Sequence, residues 1–288
     1  MNPLELFQDP TVTDVLVDST KSIQVVREGK LQTIGEYFSD DLELQNFAKQ
    51  QIRNANGRID LAKPFAEVNI AGEFGQLRFH AILAGQCSFG TQVSIRRHPV
   101  KQLSLEDLFT LRTIDNSQLQ KLKEIITLRS NFVIIGATGS GKTTLLRAML
   151  NSVSYQRIIT IEDSQELKVI NAIELYARPK NADGYGEISL DMLVREALRM
   201  RPDRLVIGEA RGKELATVLQ ALNTGHNGVG FTLHANGSTQ AITRMLGLLA
   251  LSGLEPSIAR ATISSAIDVV IELNSENRTI NSIEKLVI

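Results

Sequence analysis

Gly136-Ala137-Thr138-Gly139-Ser140-Gly141-Lys142-Thr143 carries the strongest chemical signal in the chain. Two glycines separated by four residues, then Lys and Thr, make the phosphate-binding loop pattern. Glycine lets backbone N–H groups close around phosphate oxygens. The flanks agree: residues 131–135 form a short apolar run that suits a buried strand, and Thr144 opens a stretch rich in helix formers. A helix N-terminus adds partial positive charge where an anion would sit. In such a loop Lys142 reaches the β- and γ-phosphates and Thr143 takes Mg²⁺, so residues Gly136 to Thr144 imply a nucleoside triphosphate. The competing reading is a glycine-rich turn with no ligand, and the strand and helix on either side argue against it.

Phosphoryl transfer also needs a metal and a positioned water, placed at the carboxyl ends of neighbouring strands. Three segments qualify. Residues 204–209 are an apolar strand ending in Glu209, which could orient Mg²⁺ through water, activate the attacking water, or both. Residues 160–163 end a second strand with Glu162 and Asp163, candidates for polarising water or for the outer metal shell. His234 follows a third strand and is placed to hydrogen-bond a γ-phosphate, whereas His226 sits in a glycine-rich turn and reads as structural. A zinc site is not supported, because no further Cys or His lies near these two. Arginines form two groups. Arg195 and Arg199 share one face of a helix, with Arg201 just beyond it, and Arg78, Arg96 and Arg97 stand on strands of the first hundred residues. Arginine delivered from outside the nucleotide fold suits neutralisation of transition-state charge; a solvated charged face is the plain alternative for each.

Around these residues the chain is ordinary. It has 288 residues, 43% hydrophobic and 22% charged, with a net charge of −1. That balance gives no bulk attraction to nucleic acid or anionic membrane. The single cysteine, Cys87, excludes an intrachain disulfide; it is expected to be buried, in a reducing compartment. The N-terminus shows no signal-peptide pattern, and no apolar stretch is long enough to span a bilayer. Any membrane role is therefore expected to run through a partner.

The elements that must hold the site fall into two parts. Residues 1–97 read as a small α/β domain. Strands are expected at 12–17, at 23–26 and beyond a turn at 27–30, then a helix capped by Ser39 and ending near Asn54. A hairpin around 71–75 and a strand at 92–96 complete it. His98-Pro99 breaks the pattern, and 98–103 is assigned as the linker. Residues 104–288 alternate strands and helices, opening with Ser104 and Asp107 spaced as a capping box. Helices are expected at 117–129, 189–200, 213–222, 238–250 and 256–266. Strands are expected at 132–135, 157–161, 173–177, 205–207 and 229–233, with two more at the end. Alternation of this kind predicts a mainly parallel sheet covered by helices. Residues 181–187 read as a mobile loop.

Together these segments resemble the secretion traffic ATPases of the type II, type IV and type IV pilus systems. The resemblance rests on an ordered set: residues 136–143, then Thr160-Ile161-Glu162-Asp163, then residues 198–211, then 223–226 and 232–236. In that family these are the Walker A, Asp box, Walker B and His box motifs. Residues 14–17, 77–80 and 94–97 resemble its N-terminal domain. The tight-adherence (Flp) pilus and conjugal-transfer-associated branch is the nearest in pattern. The resemblance implies an α/β fold, with a RecA-like P-loop NTPase domain and a smaller N-terminal α/β domain. It implies a homo-hexameric ring that uses ATP and Mg²⁺ with nucleotide between the two domains of a subunit. The ring would be cytoplasmic, peripheral on the inner face of the cytoplasmic membrane, and would act on an inner-membrane platform protein. It makes Lys142 and Thr143 the phosphate and Mg²⁺ ligands, Glu209 the Walker B glutamate, Glu162 the Asp-box acid and His234 the His-box residue. It matches Arg78, Arg96 and Arg97 to arginines that reach the nucleotide, with either member of the adjacent pair able to do so. The N-terminal domain is short and no tetracysteine zinc module is present, which favours the pilus or conjugation branch. Ala210 stands where a larger aliphatic residue is usual.

The function expected from this is a motor that moves pilin or another substrate. Two alternatives are a nucleic-acid or conjugation-associated RecA-like translocase and a nucleotide switch with negligible turnover. Near-neutral charge and the lack of a basic, aromatic-rich segment count against the first, and the candidate acids count against the second.

Overall fold

The computed structural model describes residues 2–287 except 36, 88, 98–101, 179, 181–184 and 224. It divides into two compact units, Met1–Lys101 and Gln102–Ile288. The division falls within the 98–103 segment, of which residues 98–101 lie outside the described residues.

In the first unit, a 3₁₀ turn at Pro3–Gln8 precedes β1 (Val12–Ser19), β2 (Ser22–Arg27), β3 (Lys30–Gly35), α1 (Asp41–Asn54), β4 (Phe65–Gly72), β5 (Gly75–Ile82) and β6 (Gln92–Arg97). The strands form one antiparallel sheet in the order β3-β2-β1-β6-β5-β4. Alternation decides its two faces. Val15, Val17, Leu77, Phe79, Ala81, Val93 and Ile95 are buried in the core with Leu44, Ala48 and Ile52, which recur every fourth residue along α1. The opposite face carries Asp14, His80, Ser94 and Arg96 around an open cavity of about 330 Å³. The helix cap differs from expectation. Asp40 caps α1, accepting the Glu43 N–H at 2.9 Å, while the Glu43 carboxylate accepts the Ser39 N–H at 2.7 Å and its hydroxyl at 2.8 Å. Ser39 therefore sits one residue outside the cap. Cys87 is half-buried rather than buried.

The second unit contains α2 (Leu105–Thr110), α3 (Asn116–Thr127), β7 (Phe132–Ile135), α4 (Lys142–Asn151), β8 (Ile158–Glu162), β9 (Ile173–Tyr176), α5 (Leu190–Arg199), β10 (Arg204–Ile207), α6 (Glu214–Leu222), β11 (Gly230–Leu233), α7 (Ser238–Ala250), α8 (Pro256–Ala266), β12 (Val269–Leu273) and β13 (Ile280–Lys285). The sheet order is β13-β12-β7-β11-β10-β8-β9, parallel except for the terminal β12–β13 hairpin. Every residue of β7, β8, β10 and β11 is buried, as expected for strands covered on both faces. One apolar layer packs α5 to α8 on the sheet; α2, α3 and α4 contribute to the other. The Ser104–Asp107 capping box forms as the spacing predicts.

Register positions the site. Ile135 pairs with Leu233, Phe231 with Ile207, and Ile207 with Ile161. The carboxyl ends of β7, β11, β10 and β8 therefore lie along one edge, and the segments starting at Gly136, His234, Gly208 and Glu162 leave it side by side. The opposite edge is tied down by the side chain of Asn131. The Asn131 amide accepts from the Gly228 and Val229 N–H groups at 2.9 and 3.1 Å and donates to the Ala266 carbonyl at 2.9 Å. His226 is also there, with Nδ1 3.2 Å from the Ala221 carbonyl. Of the loop expected to be mobile, 181–184 lie outside the described residues; at its base Arg178 and Ile188 exchange backbone bonds of 2.9 and 2.8 Å. No described helix is long and apolar enough to cross a membrane.

Candidate functional site

The phosphate loop leaves β7 at Gly136 and enters α4 at Lys142, two residues earlier than the helix expected from composition. Gly136, Gly139 and Gly141 all have positive φ, at 151°, 77° and 96°. A Cβ at Gly136 would lie 2.6 Å from Ser140 Oγ and 2.9 Å from the Leu273 carbonyl, so that position needs glycine on two grounds. Cβ atoms at Gly139 and Gly141 would meet nothing within 4 Å, which leaves the mouth of the loop open. Thr138 and Gly139 are exposed, Ala137, Thr143 and Thr144 half-buried, and Ser140 buried. Lys142 is buried, and its ammonium donates to the Gly136 and Ala137 carbonyls at 2.9 and 2.8 Å. Burial lowers its pKa, opposed by the charge of Glu209.

Glu209 follows β10, half-buried. Its Oε2 accepts from Arg211 at 2.5 Å, and its Oε1 is 3.4 Å from His234 Nε2. Burial pushes its carboxyl up, but the Arg211 hydrogen bond and charge, with His234 and Lys142, outweigh it and hold it below the usual range. Burial and the charge of Lys142 lower His234. The charge of Glu209 opposes that shift, and the contact between the two side chains is long. Lys142, Glu209 and His234, named from sequence, belong to one cluster.

Glu162 ends β8, one strand away, and meets a different fate. It is 4% exposed. Its Oε1 accepts the Leu167 and Glu166 N–H groups at 2.9 and 3.2 Å, and its Oε2 is buried with no hydrogen-bond partner. Burial pushes its carboxyl up to about 8 against the pull of those two bonds. Gly208 makes room for it: a Cβ there would lie 2.9 Å from Glu162 Cγ. Asp163, the next residue, is exposed, 3.7 Å from Arg211. Of the two acids in this segment, the open one is Asp163.

Arg211, which the sequence reading did not single out, joins these acids. The signal was its place two residues after Glu209. A second missed residue is Glu214, buried at the start of α6, whose Oε1 accepts the Arg211 and Gly212 N–H groups at 2.6 and 2.7 Å.

The remaining arginines separate. Asp14, Arg96 and Arg78 are in register across β1, β6 and β5 on the open face of the first unit's sheet. There Arg96 pairs with Asp14 at 2.7 Å and Arg78 with Glu67 at 2.8 Å. Arg97 has the parity of buried Val93 and Ile95. It donates to the Phe7 and Asp9 carbonyls and lies 5.0 Å over the Phe7 ring. Arg195 and Arg199 pair with Asp191 and Glu196 on their own helix, and Arg201 is exposed beyond it, the solvated-face reading.

A divalent cation fits the donor set. The described residues hold no group of three or more His, Cys, Asp or Glu able to bind a metal by themselves. Thr143 and an ionised Glu209 suit Mg²⁺, which keeps several waters and takes its other oxygens from phosphate.

Residues 1–279 match the model of the type II/IV secretion system protein family. The "Putative conjugal transfer protein" of Mycobacterium tuberculosis is 37% identical over 268 residues, covering 91% of this chain and 76% of that protein. The fold is shared with the Legionella pneumophila ATPase DotB, at TM-score 0.67 and 21% identity over 93% of this chain and 74% of DotB. It is shared also with the pilus retraction motor PilT solved with bound ADP, at TM-score 0.66 and 19% identity over 93% and 76%. The chain belongs to the type II/IV secretion system protein family.

Proposed function

We propose that the protein hydrolyses ATP with Mg²⁺ and works as a homo-hexameric motor of a secretion or Flp-like pilus system. The single observation that carries the reading is the Glu209 carboxylate 3.4 Å from His234 at the strand edge where the Lys142 loop opens. A strand-end acid kept charged next to a phosphate loop suits phosphoryl transfer to water. ADP in the structure of PilT is further support.

Lys142 and the N–H groups at the start of α4 would bind the β- and γ-phosphates. Thr143, and Glu209 through water, would hold Mg²⁺, which when bound neutralises charge developing on the phosphates. Glu209 orients the attacking water, and His234 would stand near the γ-phosphate. Glu162 contributes by holding the turn that carries Asp163 rather than by touching water. Arg78 and Arg96 are the arginines proposed to add positive charge to the reaction, with Arg97 holding the N-terminal turn. Residues 1–97 form the N-terminal domain, 98–103 the linker and 104–288 the ATPase domain. With the ring on the cytoplasmic face of the inner membrane, turnover would move pilin or substrate through a platform protein.

The test is the steady-state ATPase rate against protein concentration, with Mg²⁺. A rate per subunit that climbs with concentration, is lost in Lys142→Ala and is indifferent to DNA supports the motor. Turnover stimulated by DNA would replace it with a nucleic-acid translocase, and Lys142→Ala with unchanged turnover would end the reading.

A further inference from the structure

Arg211 has a geometry that stability does not explain. Its side chain is 57% exposed, and an exposed ion pair contributes only about 0–1 kcal/mol. Yet its base is fixed. Buried Glu214 accepts the N–H groups of Arg211 and Gly212, and at Gly212 a Cβ would lie 3.0 Å from Glu214 Oε2. From that fixed turn the guanidinium reaches two carboxylates at the ends of neighbouring strands. Nη2 is 2.5 Å from Glu209 Oε2, and Nη1 is 3.7 Å from Asp163 Oδ2. A planar fork held by two acids has little freedom to rotate. The hydrogen bond takes one Glu209 oxygen, and the other then faces His234 at 3.4 Å. The two Glu209 oxygens thus have different partners, Arg211 on one and His234 on the other.

We propose that Arg211 is a positioning residue: braced against Asp163, it fixes the orientation of the Glu209 carboxylate beside His234, and so supports the chemical step without binding nucleotide. This rests on Glu209 acting in ATP hydrolysis. A carboxylate released from that bond keeps its charge and position in the chain but samples several rotamers, and misplacement by about 1 Å costs up to about 100-fold in rate. Lys at 211 keeps a positive charge near Glu209 but is a point donor that cannot hold both acids at once.

Four full-length proteins separate the possibilities: wild type, Lys142→Ala, Arg211→Ala and Arg211→Lys. Each is measured for Mg²⁺-dependent ATP hydrolysis, for binding of a fluorescent ATP analogue and for thermal melting. Arg211→Ala is expected to lose kcat on the order of tenfold. Its KM and analogue affinity should stay within about twofold of wild type, with melting unchanged. Arg211→Lys should recover part of the lost rate. Wild-type kcat in Arg211→Ala would overturn the proposal. So would a raised KM at constant kcat, which would make Arg211 a nucleotide contact, or a lowered melting temperature with loss of binding, which would make it structural. A wild type no more active than Lys142→Ala would overturn the ATPase reading itself, and the control identifies that case.

Discussion

The ends of β8 and β10 are adjacent, and each ends near a glutamate, yet the two carboxylates are opposites. Glu162 is turned inward, bonded to two backbone N–H groups, with its pKa pushed up to about 8 by burial. Glu209 is half-buried, bonded to a guanidinium and held below the usual range. Desolvation acts on both; a facing cation reverses it in only one. A strand-end acid is thus equally able to pin a loop or to face a ligand, and its neighbours choose.

The largest effect expected from breaking this contrast is at Glu209. Glu209→Gln keeps the shape and removes the charge, and should lower kcat by about 100-fold or more while the ATP analogue still binds. Rapid-quench kinetics with a binding titration would show it; a retained rate would remove Glu209 from the chemistry. Next comes Gly208→Ala, whose methyl group would press on Glu162 Cγ. It should destabilise by about 1–3 kcal/mol, read as a lower denaturation midpoint. An unchanged midpoint would show that Glu162 can move aside.

A subtler test uses pH. Because the folded-state pKa of Glu162 is raised above its ordinary value of 4.5, the folded protein holds a proton that the unfolded chain has released. Its stabilising contribution is full below about pH 4.5 and is lost as pH rises through about 8. In metal-free buffer the wild type should therefore lose stability relative to Glu162→Gln between those limits. Parallel melting curves across that window would show that the carboxyl is not shifted as burial requires.

The smallest effect concerns the same rule in the first unit, where adjacent Arg96 and Arg97 lie on opposite faces. Arg97→Ala should cost about 1–2 kcal/mol through its lost hydrogen bonds and ring contact, and Arg96→Ala about 0–1 kcal/mol. Equal losses in chemical denaturation would contradict the assignment of faces.

Much of this was legible beforehand because it is local. The glycine spacing of residues 136–143, the strand endings at Glu209 and His234 and the alternation of strands with helices are all set within a few residues. The faces of β6 were left open, with either of Arg96 and Arg97 able to reach a ligand; the structure places Arg97 on the side of buried Val93 and Ile95. The inward turn of Glu162 was not legible, because it depends on N–H groups four and five residues on and on the space above Gly208. Ser39 was a reasonable cap, but Asp40 took that place because the helix begins one residue later.

By itself the sequence determined that a phosphate loop sits between a buried strand and a helix, and that acids and a histidine end neighbouring strands, because backbone geometry and side-chain periodicity are short-range. Only the tertiary structure decided which acid is buried, which arginine faces the open side of its sheet, and that Arg211 joins Asp163 to Glu209. Those outcomes depend on strand register and on the balance between desolvation and a nearby charge, and both are set by residues far apart in the chain.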